Sequence, residues 1–199
     1  MTLLLVRHGQ TDWNVEPARC QGWAEVELNE TGRAQARDLG RALVGRGIQV
    51  IVSSHLLRAR ETAALIHEEL GGDLPLVLDP RLAETHRGEW ETRPFREIME
   101  TEPDRWAAYR EHPASFRFPR GESLAEQQRR VLAVVRDCVR DGRSALLVTH
   151  GGSIRLLRCF LDGRGSEGFH TTVPANGGID EVPTAGLGER IECALRGNT

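Results

Sequence analysis

The chain has 199 residues, 39% of them hydrophobic, with 26 basic and 29 acidic side chains and a net charge of -3. It lacks the run of about 18 apolar residues that a membrane span needs, and its charge offers no general attraction to nucleic acid or to an anionic membrane, so any anion must be met locally. All 26 basic residues are arginine, and the absence of lysine excludes a P-loop kinase, a pyridoxal enzyme or a Schiff-base aldolase, each of which needs an amine.

Taken in chain order, residues 3–6 (Leu-Leu-Leu-Val) read as a buried strand, too short and too lightly charged for a secretion signal, and a cytoplasmic protein is expected. Asn29 is placed to cap a helix over 30–44. A strand over 49–52 leads to an Ala-, Leu-, Glu- and Arg-rich helix over 55–70 that stops at Gly71-Gly72, and a further strand follows at 76–78. The stretch 92–120 mixes Pro94, Pro103, Pro113 and Pro119 with Trp106, Tyr109, Phe116 and Phe118, which suits either a lid or a plain helical insertion. Ser123 and Glu126 have capping-box spacing and open an amphipathic helix expected to reach Asp141, before a strand at 145–149. The glycine-rich segment after 162 has the weakest pattern, with short strands expected at 177–182 and 189–195. Strands alternating with helices indicate an α/β sheet, expected to form one domain over 1–199.

Cys20, Cys138, Cys159 and Cys193 are far apart with no CxxC pair, so neither a zinc site nor a disulfide framework is expected, and Cys138 and Cys193 are expected to be buried. Gly163-Arg164-Gly165-Ser166-Glu167-Gly168 fits a dinucleotide fingerprint but follows a helix pattern and precedes none, so it is not assigned to a cofactor. Asn29-Glu30-Thr31 fits a glycosylation sequon only at a predicted helix start.

Three predicted strands end in residues suited to phosphate chemistry. The first runs into Arg7-His8-Gly9-Gln10-Thr11, the fourth into His150-Gly151-Gly152, and the second leads through Ser53-Ser54 to Arg58 in the first turn of a helix. In open α/β sheets ligands collect beyond the carboxyl ends of strands, and helix starts with an arginine fork suit anions.

These residues resemble the motifs of the histidine phosphatase superfamily, also called phosphoglycerate mutase-like, whose signature is an Arg-His-Gly after the first strand. Asn14 is similar to the family's Thr-x-x-Asn asparagine; Gly22 through Leu28, with Gly32, Gln35 and Ala36, resemble its next block, and Ser53 through Thr62 its serine-rich turn. Leu82-Ala83-Glu84 with Gly88-Glu89-Trp90-Glu91, then Gly121-Glu122-Ser123 and Val148 through Gly152, complete an ordered series over most of 3–160. The chain departs at Thr92, where the family often has glycine, and at Asn29, where a threonine cap is usual.

The resemblance implies a mostly parallel mixed sheet flanked by helices on both faces, with 92–120 as a small helical insertion. It implies a phosphomonoesterase acting on small esters through phosphohistidine on His8, with Glu84 as general acid and base. Arg7, Arg58 and His150 would neutralise the phosphoryl oxygens, and Asn14 and Gly151 would add phosphate contacts. A neighbouring phosphate dianion and partial burial lead us to expect a raised Glu84 pKa. No metal or cofactor is implied, and the expected partner is a small-molecule phosphomonoester. A phosphoglycerate mutase using the same residues is the alternative, and a phosphate-binding protein of the same fold a third. His55, His67, His112 and His170 are expected to be structural or exposed, and His86 either faces the pocket or serves a loop. Arg93, Arg96, Trp106, Tyr109 and Arg117 are possible walls for the leaving group.

Overall fold

Five strands, β1 (Leu3–Arg7), β2 (Val50–Ser53), β3 (Leu76–Leu78), β4 (Ala145–Thr149) and β5 (Ile179–Val182), form one sheet in the order β3-β2-β4-β1-β5. The computed structural model describes residues 1–171 and 174–197. β3, β2, β4 and β1 run parallel, while β5 pairs antiparallel with β1 at the edge. The helices are α1 (Glu30–Leu43), α2 (Leu57–Glu69), α3 (Phe95–Thr101), α4 (Pro103–Glu111), α5 (Leu124–Asp141), α6 (Gly151–Leu161) and α7 (Leu187–Arg196).

Successive strand residues point to opposite faces, so each apolar strand feeds two cores. Leu4, Val6, Ile51, Leu146 and Val148 pack against Leu39 and Leu43 of α1 and Ala59, Ala63 and Ile66 of α2. Leu3, Leu5, Val50, Val52 and Leu147 pack against α5, α6 and α7 through Leu132, Val135, Ile154, Leu157, Leu187 and Ile191. β1, β2 and β4 are covered on both faces, which is why they read as unbroken apolar runs.

The expected caps form. Asn29 accepts the Gly32 N–H (2.9 Å) and its amide donates to Gln10 Oε1 (3.1 Å), so the sequon side chain is engaged in the fold. Ser123 Oγ accepts the Glu126 N–H, the Glu126 carboxylate accepts the Ser123 N–H, and α5 ends at Gly142 in the left-handed region. The expected strand at 189–195 is instead α7: Leu187, Ile191 and Leu195 recur every four residues and lie along one helical face packed on the core beside α5. Cys138 on α5 is only half-buried, at the edge of the core, and Cys193 on α7 is exposed, whereas Cys20 and Cys159 are buried; all four are free thiols. The 92–120 segment carries α3 and α4 and is pinned by an aromatic cluster in which Trp106, Tyr109, Phe116 and Phe118 surround Trp90.

Candidate active site

The sheet order puts the carboxyl ends of β2, β4 and β1 side by side, and the three phosphate-type motifs meet there. His8 extends the ladder one residue beyond β1 by donating its N–H to Thr149 O (2.9 Å). The next turn is fixed from below, where Gly9 N–H donates to Thr62 Oγ1 (3.0 Å). A Cβ on Gly9 would fall 2.4 Å from Gly32 O at the start of α1, so only glycine permits this approach.

His8 Nδ1 lies 2.7 Å from Gly9 O. A carbonyl can only accept, so the proton sits on Nδ1 and the Nε2 lone pair is free. The rings of His8 and His150 are 5.2 Å apart, and His150 Nε2 lies 2.8 Å from Ser54 Oγ. Both histidines are buried. Burial, then Arg58, then Arg7 push His8 well below the ordinary imidazole range; burial, Arg58 and His8 do the same for His150. Both rings are therefore neutral near pH 7.

Arg58 is fully buried, with its two terminal nitrogens on Gly22 O (2.8 Å) and Ala24 O (3.0 Å) and its Nε without a partner. Burial lowers its pKa to about 10, partly offset by Glu84. Arg7 donates from Nη1 to Pro174 O (2.7 Å), and its buried Nε is also without a partner, as is His150 Nδ1. Buried polar groups are nearly always paired, so several unmatched donors at one place ask for an anion.

Glu84 enters from the chain after β3. Its Oε1 accepts from Thr85 N (2.9 Å) and Gln127 Nε2 (3.2 Å), and its Oε2 from Gly152 N (3.1 Å) at the start of α6. Trp23 Nε1 and Arg130 Nη2 hold its main-chain oxygen, each at 2.7 Å. A Cβ on Gly152 would come within 2.1 Å of Glu84 Oε1. Burial alone would raise this carboxyl, but the Arg87 charge, the Thr85 and Gly152 N–H groups and Arg58 outweigh it and hold the pKa at about 2. The expected raised value is thus corrected as far as protein groups decide it: the donors facing Glu84 favour its ionised form.

A cavity of about 290 Å³ opens over these groups. Arg7, His8, Asn14, Arg58, Glu84 and Gly151 all line it; His150 lies just beneath, fully covered and against the His8 ring. Asn14 Oδ1 accepts from Thr11 N (3.0 Å), leaving its amide N–H groups as the donors on the cavity side. Of the expected leaving-group residues, Trp106 and Tyr109 line the cavity, but the three arginines do not. Arg93 pairs with Glu97 and Glu102, Arg96 with Glu100 and Arg117 with Glu126, because carboxylates of α3, of the α3–α4 junction and of α5 lie within their reach outside the cavity. His170, expected to be structural or exposed, combines a hydrogen bond to Tyr109 O (3.0 Å) with a place on the cavity wall. His86 stacks on Trp23 (4.7 Å) outside the cavity, His67 binds Leu74 O (2.7 Å), and His112 is exposed.

The arginines of the cavity that sequence reasoning missed are Arg19, Arg87, Arg110 and Arg155. Arg7, Arg19, Arg58, Arg87, Arg110 and Arg155 all line the cavity, and among the described residues none of them has a carboxylate within ion-pair distance. Surface arginines such as Arg81 and Arg140 are paired. Arg155 was detectable in principle, since it follows Gly151 by four residues and so shares its helical face.

The model described as histidine phosphatase superfamily (branch 1) matches residues 3–194. A Hydrogenobacter thermophilus protein named "Putative phosphoserine phosphatase 2" is 34% identical over 185 residues, covering 92% of this chain and 90% of its own. A 2,3-bisphosphoglycerate-dependent phosphoglycerate mutase of Methylobacterium radiotolerans is 36% identical over 172 residues, covering 81% and 79%. The solved structure of a mycobacterial glucosyl-3-phosphoglycerate phosphatase with VO3 has a TM-score of 0.81 at 33% identity, covering 92% of each chain. This chain, with its neutral histidine pair at the ends of adjacent parallel strands, belongs to the histidine phosphatase superfamily, branch 1.

Proposed function

We propose that the protein is a phosphomonoesterase that hydrolyses small phosphate esters through phosphohistidine on His8, with Glu84 as general acid and then general base. The observation that carries this reading is the His8 ring: Nδ1 is anchored on Gly9 O and Nε2 is free, beside arginines whose Nε atoms have no partner in the protein.

A phosphomonoester near neutral pH carries close to two negative charges, and in-line attack requires the charge on its three free oxygens to be neutralised. Arg7 and Arg58 supply fixed positive donors. Ser54 Oγ can donate to His150 Nε2 while it accepts the Leu56 N–H (3.3 Å), which puts the His150 proton on Nδ1 and makes it a further donor. The Asn14 amide and the start of α6 at Gly151 complete the set.

The His8 Nε2 lone pair forms the N–P bond as the ester P–O bond breaks, and the Glu84 proton goes to the departing oxygen. Water then attacks the phosphohistidine, Glu84 takes the water proton, and the N–P bond breaks to release phosphate. The proton on Glu84 must come from the substrate side, since the protein alone holds this carboxyl at about 2. Each negative charge brought to 4 Å costs Glu84 about 4 kcal/mol at an effective dielectric of about 20. That equals about three pKa units, which lifts the carboxyl from about 2 to about 5, within about one unit of the ester's second pKa near 6, so the carboxylate and the phosphate can share the proton.

Hydrolysis is favoured over mutase chemistry because the 92–120 segment is short, two small helices pinned by aromatics. The experiment is a turnover screen over phosphate esters with chelator present, together with trapping of an acid-labile phosphoenzyme from labelled substrate. Phosphate release from the intact protein, and loss of both label and turnover in a folded His8→Ala variant, are expected. Primer-dependent isomerisation of 3-phosphoglycerate without net hydrolysis would make it a mutase. Binding with no label on His8 would make it a phosphate-binding protein.

A further inference from the structure

The cavity is more cationic than one phosphate requires. Arg7 and Arg58 face the His8 end, yet Arg87, Arg110 and Arg155 line it as well, and Glu84 is the single carboxylate in the lining. At about 290 Å³ the space lies at the low end of small-ligand sites, which suits a small substrate.

Arg155 differs from the other two. Arg87 is spoken for by Tyr109 and Cys20, and Arg110 donates to His170 Nδ1 (3.1 Å). Arg155 stacks one face of its guanidinium on the Phe169 ring, 5.3 Å from the centroid, and its buried Nε has no partner. Arg158, three residues further along α6, is saturated by Asp180. Arg155 stands one turn beyond Gly151 on the face of α6 that meets the cavity, so it lines the same cavity one helical turn away from the helix start offered to the phosphate. A half-buried guanidinium with no carboxylate partner is costly to keep unless a ligand supplies the charge.

We propose that Arg155 is a specificity-determining residue that binds a second anionic group on the leaving alcohol. The preferred substrates are then small phosphomonoesters whose alcohol carries a carboxylate or a second phosphate. This assignment rests on the reading of the site as a phosphomonoesterase. The planar fork of Arg155 suits two-point contact with either anion, while Phe169 holds its plane and Trp106 and Tyr109 line the same cavity and offer apolar surface to a small carbon skeleton.

The test compares ester pairs that differ only in the second anion, before and after Arg155→Gln. 3-Phosphoglycerate against glycerol 3-phosphate tests a carboxylate, and propane-1,3-diol bisphosphate against 3-hydroxypropyl phosphate tests a phosphate. p-Nitrophenyl phosphate, which has no second anion, is the control. In the intact protein at least one anion-bearing ester is expected to exceed its neutral partner in kcat/KM, and the pair with the larger ratio identifies the anion. Arg155→Gln is expected to lower kcat/KM for that ester about 10–100-fold, mostly through KM, as loss of a charged hydrogen bond would. The control should stay within about threefold, as for a change away from the reacting atoms. Arg155→Lys, which keeps the charge, should recover part of the preference. Equal losses on anionic and neutral esters, or an intact protein that does not discriminate within either pair, would overturn the assignment. Should no ester turn over, the hydrolytic reading fails, and calorimetric binding of the same pairs still decides the subsite. Preference for the anionic member that disappears in Arg155→Gln supports it, and equal affinities refute it.

Discussion

The inner half of the cavity, where Arg7, His8, Arg58 and His150 converge, hangs from the ends of three adjacent strands, whereas the outer half is walled by α3, α4 and the second turn of α6. In the inner half the side chains are held by hydrogen bonds to main chain and to neighbouring side chains: His8 through its own N–H on Thr149 O and its ring on Gly9 O, His150 through Ser54 Oγ, and Arg58 through Gly22 O and Ala24 O. The outer half is held by aromatic packing around Trp90 and by ion pairs within its own helices, such as Arg96 with Glu100 in α3. The difference teaches how one chemistry can serve many alcohols. Rigid strand ends define the phosphoryl geometry to the fraction of an ångström that catalysis needs, and side-chain walls that never touch phosphorus can vary.

Glu84 sits at the seam between the halves, and replacing it tests to which half it belongs. Glu84→Gln keeps the shape and can still accept the Thr85 or Gly152 N–H, but has no acidic proton. We expect alkyl esters to lose about 10²–10⁴-fold in kcat, the usual worth of a general acid. p-Nitrophenyl phosphate, whose leaving group departs without protonation, should lose far less. Equal losses on both would move Glu84 from proton transfer to ground-state binding and dissolve the seam.

The pH profile sharpens the same comparison. Free His8 is held well below the ordinary imidazole range by burial, Arg58 and Arg7, so it is neutral near pH 7 and its titration does not cause a loss of rate as pH rises. Free Glu84 is ionised above about 2, so the catalytic proton must enter with the ester, whose second pKa is near 6. The productive proton count is ester monoanion plus ionised Glu84, and it is lost as pH rises. We expect kcat/KM for an alkyl ester to be flat from about pH 5 to 6 and to fall tenfold per unit above that, about a hundredfold by pH 8. A profile that instead rises towards pH 8 would show that Glu84 gains its proton from some other group in the complex.

The inner half was legible in the sequence because its residues adjoin strand ends, where an apolar run stops at a polar triplet. Arg7-His8-Gly9 and His150-Gly151-Gly152 are local patterns, and their meeting follows from parallel strands sharing a carboxyl edge. The outer half was not. Whether an arginine faces the cavity depends on which carboxylates lie within its reach elsewhere, and Arg93, Arg96 and Arg117 are captured by partners four to nine residues away. The direction of Glu84's shift is illegible in the sequence for a related reason: it is set first by the charge of Arg87, whose place in the cavity no local pattern marks, and then by the N–H groups of Thr85 and Gly152, the latter 68 residues away. At the C-terminus, the four-residue recurrence of Leu187, Ile191 and Leu195 was in view but was outweighed by the surrounding glycines.

The smallest expected effect lies at the boundary where the outer half begins. Thr92 has φ of 71°, in the left-handed region that a β-branched residue occupies only under strain, and this is the position where glycine often stands in the family. The chain is held there by main-chain contacts that glycine would keep: Thr92 N–H donates to Cys20 O (2.7 Å), and Arg19 donates to Thr92 O (3.0 Å). The side chain is exposed and does not line the cavity, so little packing is lost with it. Relief of strain, of the order of 1–3 kcal/mol, exceeds the added freedom of a glycine in the unfolded chain, about 0.4–1 kcal/mol. Thr92→Gly should therefore stabilise the protein by about 1 kcal/mol, a rise of about 2–4 °C in Tm by calorimetry. Its kcat/KM should not change, because Gly152, Glu84 and the strand ends do not depend on this turn. A rise in KM confined to esters with bulky alcohols would instead mean that the strained turn at Thr92 sets how closely α3 and α4 approach the leaving group.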